Sequence, residues 1–459
     1  MSVFSLSNLK KTWYYLQKNG IRNAVWAVLE RIGQEQEVYT WQEPDEKTLS
    51  FQREHSASLR ISIVVPAYRT KKEHLEAMLN SVSRQSYPHW ELIVADAGGT
   101  AESVQAWAKK NGICLREAAD ASNLAEWKDQ SIVLCTLSEN KGISANTNAG
   151  IELAAGDAVG LLDHDDLLTA NALWEMADCL EKEKKRGKQK LVLFSDEDKC
   201  DKAASRFYEP NFKPDFDGEL LLTNNYICHF TVIETAFLKE LKLRSGFDGA
   251  QDYDLMLRAY AAGGQFVHVP KVLYHWRCHE ASTASNPQSK RYAYEAGQRA
   301  LEDYCLRKGW KATVSGLKHL GFYREDYEDS VFCQRPEIGI WAKPLPGGRD
   351  IFGIRHPKGF LVSGLYENDG SMRYAGLRKG YSGPMHRAAL QQSAPAADLR
   401  SMEVCSALKE RYAQTIAELK EACQGLPTAA QETKILQKSM EFCKEATAAG
   451  YGILWDPQA

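Results

Sequence analysis

A mostly parallel α/β sheet with helices on both faces is the fold this sequence predicts, and three observations carry the prediction. From residue 60 onward, short apolar runs alternate with stretches of helical spacing. The runs are apolar at successive positions, which is the pattern of strands buried on both faces. Acidic residues follow several of these runs directly, at the strand ends where open parallel sheets bind their ligands.

The elements follow in chain order. Residues 1–57 read as an N-terminal helical segment and linker. Trp13, Tyr14, Leu16, Ile21, Val25, Trp26, Val28 and Leu29 recur at mostly three- and four-residue steps among Lys10, Lys11, Lys18 and Arg22. Such a segment either lies on a membrane surface or packs against a core. Glu43-Pro44-Asp45-Glu46-Lys47 breaks the helical pattern. Ile61–Pro66 is the first strand, and residues 72–85 have helical spacing. Trp90–Ala95 is the second strand and ends at Asp96, before Gly98-Gly99. A helix covers about 101–111, Ile132–Cys135 is a strand, and Ile143 to Ala155 is a helix. Ala158–Leu162 is a strand, 170–184 a helix, Leu191–Phe194 a strand, and 251–262 fits a helix. Residues 58–320 thus make one α/β domain.

Composition narrows the class. The 459 residues are 44% hydrophobic and 25% charged, enough for two or three globular domains. A net charge of -3 gives no electrostatic reason to expect a nucleic-acid partner. The 11 cysteines form no CxxC pair, so they read as reduced thiols rather than a zinc knuckle or a disulfide framework. No window approaches the roughly 20 apolar residues of a membrane span, and no signal-peptide core stands at the N-terminus. The expectation is a cytoplasmic protein, with any membrane contact peripheral.

The chemistry concentrates at Asp163-His164-Asp165-Asp166, directly after the apolar run Ala158–Leu162. Three carboxylates in one turn repel one another unless they are solvated, protonated or neutralised. Oxygen ligands at that spacing suit a divalent ion such as Mg or Mn. Asp96, Asp163, Asp165 and the run Ser195-Asp196-Glu197-Asp198 all fall at strand ends, so one edge of the sheet gathers the acids. Tyr274-His275-Trp276-Arg277-Cys278-His279 adds imidazoles, an indole and a guanidinium. His275 is the better candidate to complete a metal shell, Arg277 a candidate for an anionic group, and Trp276 for stacking.

Taken in order, these pieces resemble the family 2 glycosyltransferases of the GT-A fold. Val64-Val65-Pro66-Ala67-Tyr68 is similar to the family's opening strand and turn. Ser81 to Tyr87 is similar to its helix end, and Glu91 to Asp96 to its second strand. Asn140 to Gly150 is similar to its "N-x-G-x-x-x-x-x-N-x-G" helix, and Leu162 to Asp166 to its D-x-D element. Gly249 to Leu255 is similar to the segment with its catalytic base, and Tyr274 to His279 follows as in bacterial polysaccharide- and O-antigen-type members. The resemblance covers about residues 58–316. One departure is Ala97, where many relatives carry a second acid after Asp96.

The resemblance implies a metal-dependent, inverting transfer of a sugar from a nucleotide-sugar donor to a hydroxyl of a glycan or lipid-linked acceptor. It places Pro66, Ala67, Tyr68, Asp96, Asn146, Asp163 and His164 on the donor. Asp165, with His275, holds Mn or Mg, and Asp163 binds the ribose or shares the ion. Asp252 is the general base by family position, and Asp254 is its competitor. On a helix those two residues face different sides, so only one meets the sugar. Asp196, Glu197, Asp254, Trp276 and Arg277 are candidates for acceptor or phosphate contacts. The alternative function is a non-catalytic carbohydrate-binding or assembly protein on the same fold. A phosphohydrolase with a strand-end D-x-D places it on its first strand, whereas three predicted strands precede this one. The first turn also lacks the GxGxxG of a dinucleotide fold.

Residues 335–459 read as a degenerate second transferase-like module. The segment Ser439 to Pro457 echoes Asp252 to Pro270 in register: Ala446 stands for Ala259, and Ala448-Ala449-Gly450 for Ala261-Ala262-Gly263. Ser439 and Glu441 replace the two aspartates. Gly364 to Gly370 and Ala375-Gly376 also look like part of such a module.

Overall fold

The computed structural model describes residues 39–119, 126–278, 291–316, 321–342, 364–365, 402–422, 438 and 441–455. The expected amphipathic helix before residue 39, His279 and Ser439 lie outside the described residues. The described residues fall into two compact units, one within 37–216 and 225–304, the other within 217–224 and 305–459.

The first unit is the α/β domain. Helix α1 (Glu46–Glu54) starts where Asp45 accepts a hydrogen bond from Thr48 N at 2.7 Å. Strand β1 (Ile61–Ala67) leads to α2 (Lys72–Ser83), β2 (Trp90–Asp96), α3 (Ala101–Asn111), β3 (Cys114–Glu117) and β4 (Ser131–Thr136). Helix α4 (Ile143–Leu153) precedes β5 (Ala158–Leu161), the short β6 (Leu167–Leu168), α5 (Ala172–Lys185), β7 (Leu191–Cys200) and β8 (Phe207–Asn211). Helix α6 (Gly218–Thr223) belongs to the second unit; β9 (Thr231–Glu234), α7 (Thr235–Leu241), α8 (Gln251–Ala261), β10 (Gln265–Arg277) and α9 (Arg291–Lys308) follow.

One 10-stranded sheet results, in the order β3-β4-β2-β1-β5-β9-β7-β10-β6, with β8 paired to β7. The strands from β3 to β5 run parallel, as do β7 and β10. The sequence pattern does not foretell β9, which lies antiparallel between β5 and β7. Its apolar run is short and carries no sign of direction. Buried residues alternate sides as the pleat requires. Ile61, Ile63 and Val65 join Met78, Leu79, Val104, Trp107 and Met176 in one core. Val64, Ile93 and Ala95 face α4 instead. A Cβ on Gly150 would meet Val64 Cγ1 at 2.7 Å, so that helix reaches the sheet only because position 150 has no side chain. Among the described residues, no helix is long and apolar enough to cross a membrane.

The second unit contains β11 (Ala312–Gly316) paired with β12 (Tyr323–Tyr327), α10 (Val331–Gln334), and a 4-stranded sheet. That sheet has β14 (Gly364–Leu365), β16 (Gly452–Trp455), β13 (Ile338–Ala342) and β15 (Met402–Val404) in spatial order; α11 (Ser406–Arg411) and α12 (Ala413–Ala422) follow β15. Its pairings are antiparallel, parallel and antiparallel, the same sequence of directions as β6-β10-β7-β9. The echoed turns also agree. Gly264 N donates to Ala259 O at 2.8 Å, and Tyr451 N to Ala446 O at 3.1 Å. Gly263 and Gly450 are both left-handed, with φ of 78° and 89°.

Candidate active site

The acids gather at the carboxyl edge of the parallel strands. Asp96 ends β2, beside Ala67 at the end of β1. Asp163, His164 and Asp165 follow β5, the other neighbour of β1. Adjacent strands lie about 4.8 Å apart, so Asp96 stands two strand spacings from the Asp163 turn. Asp252 reaches the edge from the first turn of α8.

Asp163, Asp165 and Asp252 share one electrostatic neighbourhood. Burial raises the Asp163 carboxyl above the ordinary carboxylate range; His229 and His164 pull it down, while Asp165 and Asp252 push it up. Asp166 is buried, and burial, then Asp165 and Asp163, raise it well above that range. It accepts from Tyr274 Oη at 2.6 Å and from Arg277 N at 2.7 Å, which ties the acidic turn to β10. The first turn of α8 orients Asp252. Its Oδ2 accepts from Asn225 Nδ2 at 3.0 Å and from the Cys228 thiol at 2.9 Å.

The competing aspartate has a different place. Asp254 is buried and ion-paired with Arg244, and it also accepts from Arg258 Nε at 2.9 Å. The helix thus turns Asp252 toward the acidic edge and Asp254 toward a structural cluster.

Strands β7 and β10 sort the remaining candidates by their alternation. Glu197 and Tyr274, paired across the ladder, both meet His229. Glu197 accepts from His229 N at 2.5 Å and lies 3.3 Å from His229 Nδ1, and the rings of His229 and Tyr274 stack at 4.9 Å. Asp198 and His275, the next pair, point to the other face. There His275 Nδ1 meets Asp198 Oδ1 at 2.5 Å, Tyr39 donates to Asp198 Oδ2 at 2.7 Å, and Trp41 and Phe207 pack on the imidazole. Besides His164 of the acidic turn itself, the imidazole beside the acids is therefore His229, whereas His275 belongs to a buried chain with Asp198. Asp196 is buried against His268 Nε2 and Lys213 N, each at 2.8 Å. Burial alone would raise Glu197, but Lys213 and His229 bring it down to about 2.

Among the described residues, two buried side-chain nitrogens at this edge have no hydrogen-bond partner: His164 Nδ1 and Arg277 Nη2. Arg277 is anchored by Nε to Asp165 O at 2.5 Å and by Nη1 to Lys202 O at 2.6 Å, which leaves Nη2 as a spare donor at the acidic turn. Buried donors of this kind call for an explanation, and an anionic ligand supplies one. Trp276 lies 5.8 Å from the His229 ring, half-buried.

The donor-pocket candidates have these positions. Pro66 and Ala67 end β1, and Tyr68 is exposed under the Arg69 guanidinium. Asp96 accepts backbone bonds from Gly98, Thr100 and Ala101 at 3.0, 3.2 and 2.9 Å, the bonds of a turn- and helix-capping aspartate. Its carboxylate keeps further lone pairs. Asn146 braces its own loop, donating to Asn140 Oδ1 at 2.9 Å. Sequence reasoning missed Cys228 and His229, which lie in an irregular stretch before β9 without periodicity. It singled out the acidic turn with Asp166 and the segment from Tyr274, but not the bond between those two residues, which forms only when β10 meets the turn.

Residues 62–241 match the family model described as Glycosyl transferase family 2. The chain is 36% identical over 255 residues to the uncharacterized protein y4gI of Sinorhizobium fredii, a match that covers 55% of this chain and 26% of that protein. It is 34% identical over 256 residues to the O-antigen biosynthesis protein RfbC of Myxococcus xanthus, covering 56% of this chain and 19% of RfbC. The amylovoran biosynthesis glycosyltransferase AmsB of Erwinia amylovora is 28% identical over 232 residues, covering 47% of this chain and 70% of AmsB. The chain thus spans about a quarter or less of the first two relatives. Among solved structures, S. aureus TarS 1-349 in complex with UDP-GlcNAc superposes with a TM-score of 0.41 at 20% identity, covering 54% of this chain and 67% of that one.

Proposed function

Residues 62–241 form a glycosyl transferase family 2 domain, and from that premise we propose a metal-dependent, inverting glycosyltransferase. It moves a sugar from a nucleotide-sugar donor to a hydroxyl of a glycan or lipid-linked acceptor, at the cytoplasmic face of a membrane that it meets peripherally. The observation that carries the reading is the crowding of Asp163, Asp165 and Asp252 beside the spare donor Arg277 Nη2. Carboxylates that raise one another's pKa fit a divalent cation, and their oxygens suit Mg or Mn rather than a softer metal. Asp165 and Asp163 are the ligands we assign. When bound, the ion stabilises the charge that gathers on a departing diphosphate.

The chain's own residues do the rest. Arg277 Nη2 donates to a phosphate oxygen, and His164 Nδ1 faces the donor. Pro66, Ala67, Tyr68 and Asp96 border the nucleoside, with Asn146 supporting the adjoining loop. Trp276, half-buried beside the His229 ring, offers the aromatic face on which a sugar rests. Asp252 Oδ2 takes the proton of the attacking hydroxyl, and Asn225 fixes the rotation of that carboxylate. Attack opposite the leaving group, in one displacement, inverts the anomeric centre. Residues 335–459 are proposed as a degenerate second module, supported by the shared strand directions and turns.

Calorimetry with a panel of nucleotide sugars, with and without Mn, tests the donor half. Donor affinity that ignores Mn across the panel removes the metal role.

A further inference from the structure

Cys228, His229 and Asp252 meet in a way that the transfer reaction does not call for. Cys228 Sγ lies 2.9 Å from Asp252 Oδ2 and 3.1 Å from His229 Nε2, and the three potential ligand atoms all fall within 4.8 Å of one another. The opposite ring nitrogen, Nδ1, lies 3.3 Å from Glu197 Oε2. A carboxylate behind an imidazole fixes the ring and turns its other nitrogen to a metal, the arrangement found around metal-bound histidines. Asn225 holds Asp252 from the side, and the ring of Tyr274 backs His229.

We propose that Cys228, His229 and Asp252 bind a thiophilic divalent ion of the zinc class, and that its occupancy withdraws Asp252 from catalysis. Sulfur, imidazole nitrogen and one carboxylate oxygen make a mixed set that suits zinc and is poor for Mg or Mn. This separates the site from the all-oxygen pair Asp163 and Asp165. Bond lengths of about 2.0–2.3 Å place tetrahedral ligands roughly 3.3–3.6 Å apart. The thiol would move back by about half an ångström to admit the ion, and both its proton and the His229 Nε2 proton would leave to solvent as sulfur and nitrogen bond the metal. Water would supply the fourth ligand of a tetrahedral shell. The inhibitory half rests on the reading of Asp252 as the base; the binding half does not.

Cobalt(II) added to the full chain tests the binding half, because a thiolate ligand gives a sulfur-to-cobalt charge-transfer band in the near ultraviolet. The wild type shows the band, zinc displaces it, and Cys443→Ser keeps it. Cys228→Ser loses it, with zinc affinity weakened by at least roughly 10- to 100-fold, and Glu197→Gln weakens it over that range. A band and affinity unchanged in Cys228→Ser overturn the proposal. If that variant does not fold, alkylation of the wild type decides: zinc protects Cys228 from labelling, read by peptide mass spectrometry, and equal labelling with and without zinc overturns the site. Zinc at concentrations that fill the cobalt site stops transfer; undiminished transfer overturns the inhibitory half. Zinc binding in a chain that transfers no sugar leaves the site standing and refutes the function reading instead.

Discussion

Two aspartates, two residues apart on one helix, give the sharpest test. Asp254 is 1% exposed and is held by Arg244 and by Arg258 Nε at 2.9 Å. Removing one partner of a buried pair leaves the other charge uncompensated, at a cost of about 3–5 kcal/mol. Arg244 is 28% exposed and keeps Asp303 at 2.7 Å, so the lower end applies to Asp254→Ala. For a domain of this size each kcal/mol moves Tm by about 2–4 °C, which gives a fall of roughly 6–12 °C. Asp252→Asn keeps the shape that accepts from Asn225 and removes a charge that crowds Asp163, so its Tm stays within roughly 2 °C of wild type, as for a change near 0.5 kcal/mol. Its transfer rate falls by about 10²–10⁴-fold, the usual contribution of a general base, with donor affinity retained. Thermal unfolding by circular dichroism and a single-turnover transfer assay read the two effects. Asp254→Ala melting with the wild type, or Asp252→Asn transferring at full rate, refutes the division of roles.

Asp165→Ala abolishes metal-dependent transfer and the stabilisation by Mn; wild type gains about 2.7 kcal/mol at 100-fold excess over Kd, read as a thermal shift. Arg277→Gln raises donor Kd by roughly 10-fold or more through loss of a charge-assisted phosphate contact, with little change for an acceptor lacking phosphate, as calorimetry reports. Glu197 has a folded pKa of about 2, below its ordinary value of 4.5. Its share of stability is full above the ordinary value and is lost as pH falls toward the folded one. Glu197→Gln therefore flattens the acid limb of a stability–pH profile between those values. In the second unit, Arg335 bonds Glu219 through both Nη atoms, including a 2.8 Å contact to Oε2, and is nearly buried. Arg335→Ala costs about 3–5 kcal/mol there, visible in urea unfolding.

Much of the fold is legible because burial on two faces leaves a mark in the chain. Ile61–Pro66, Trp90–Ala95 and Leu191–Phe194 read as strands from their apolar runs alone, and the structure extends each by one to several residues. The helix read at about 101–111 is found at Ala101–Asn111. Strand β9 was not legible, since a run as short as Thr231–Glu234 fixes neither direction nor neighbour. The acidic turn could be read because like charges after an apolar strand are unusual. His275 drew attention through its aromatic and basic neighbours, but a period-two strand sends it to the opposite face from Tyr274.

The sequence by itself determined that a mostly parallel sheet carries acids at its strand ends, because residue type and strand period are local properties; it offered Asp163 and Asp165 as site candidates on that ground and Asp252 through the family resemblance. Tertiary structure alone decided that His229 rather than His275 stands beside those acids, that Asp254 is locked by Arg244, and that Cys228 touches Asp252. Those outcomes depend on contacts between residues far apart in the chain. Such contacts form only when the antiparallel β9 and the long β10 close the sheet, and no local pattern encodes the meeting.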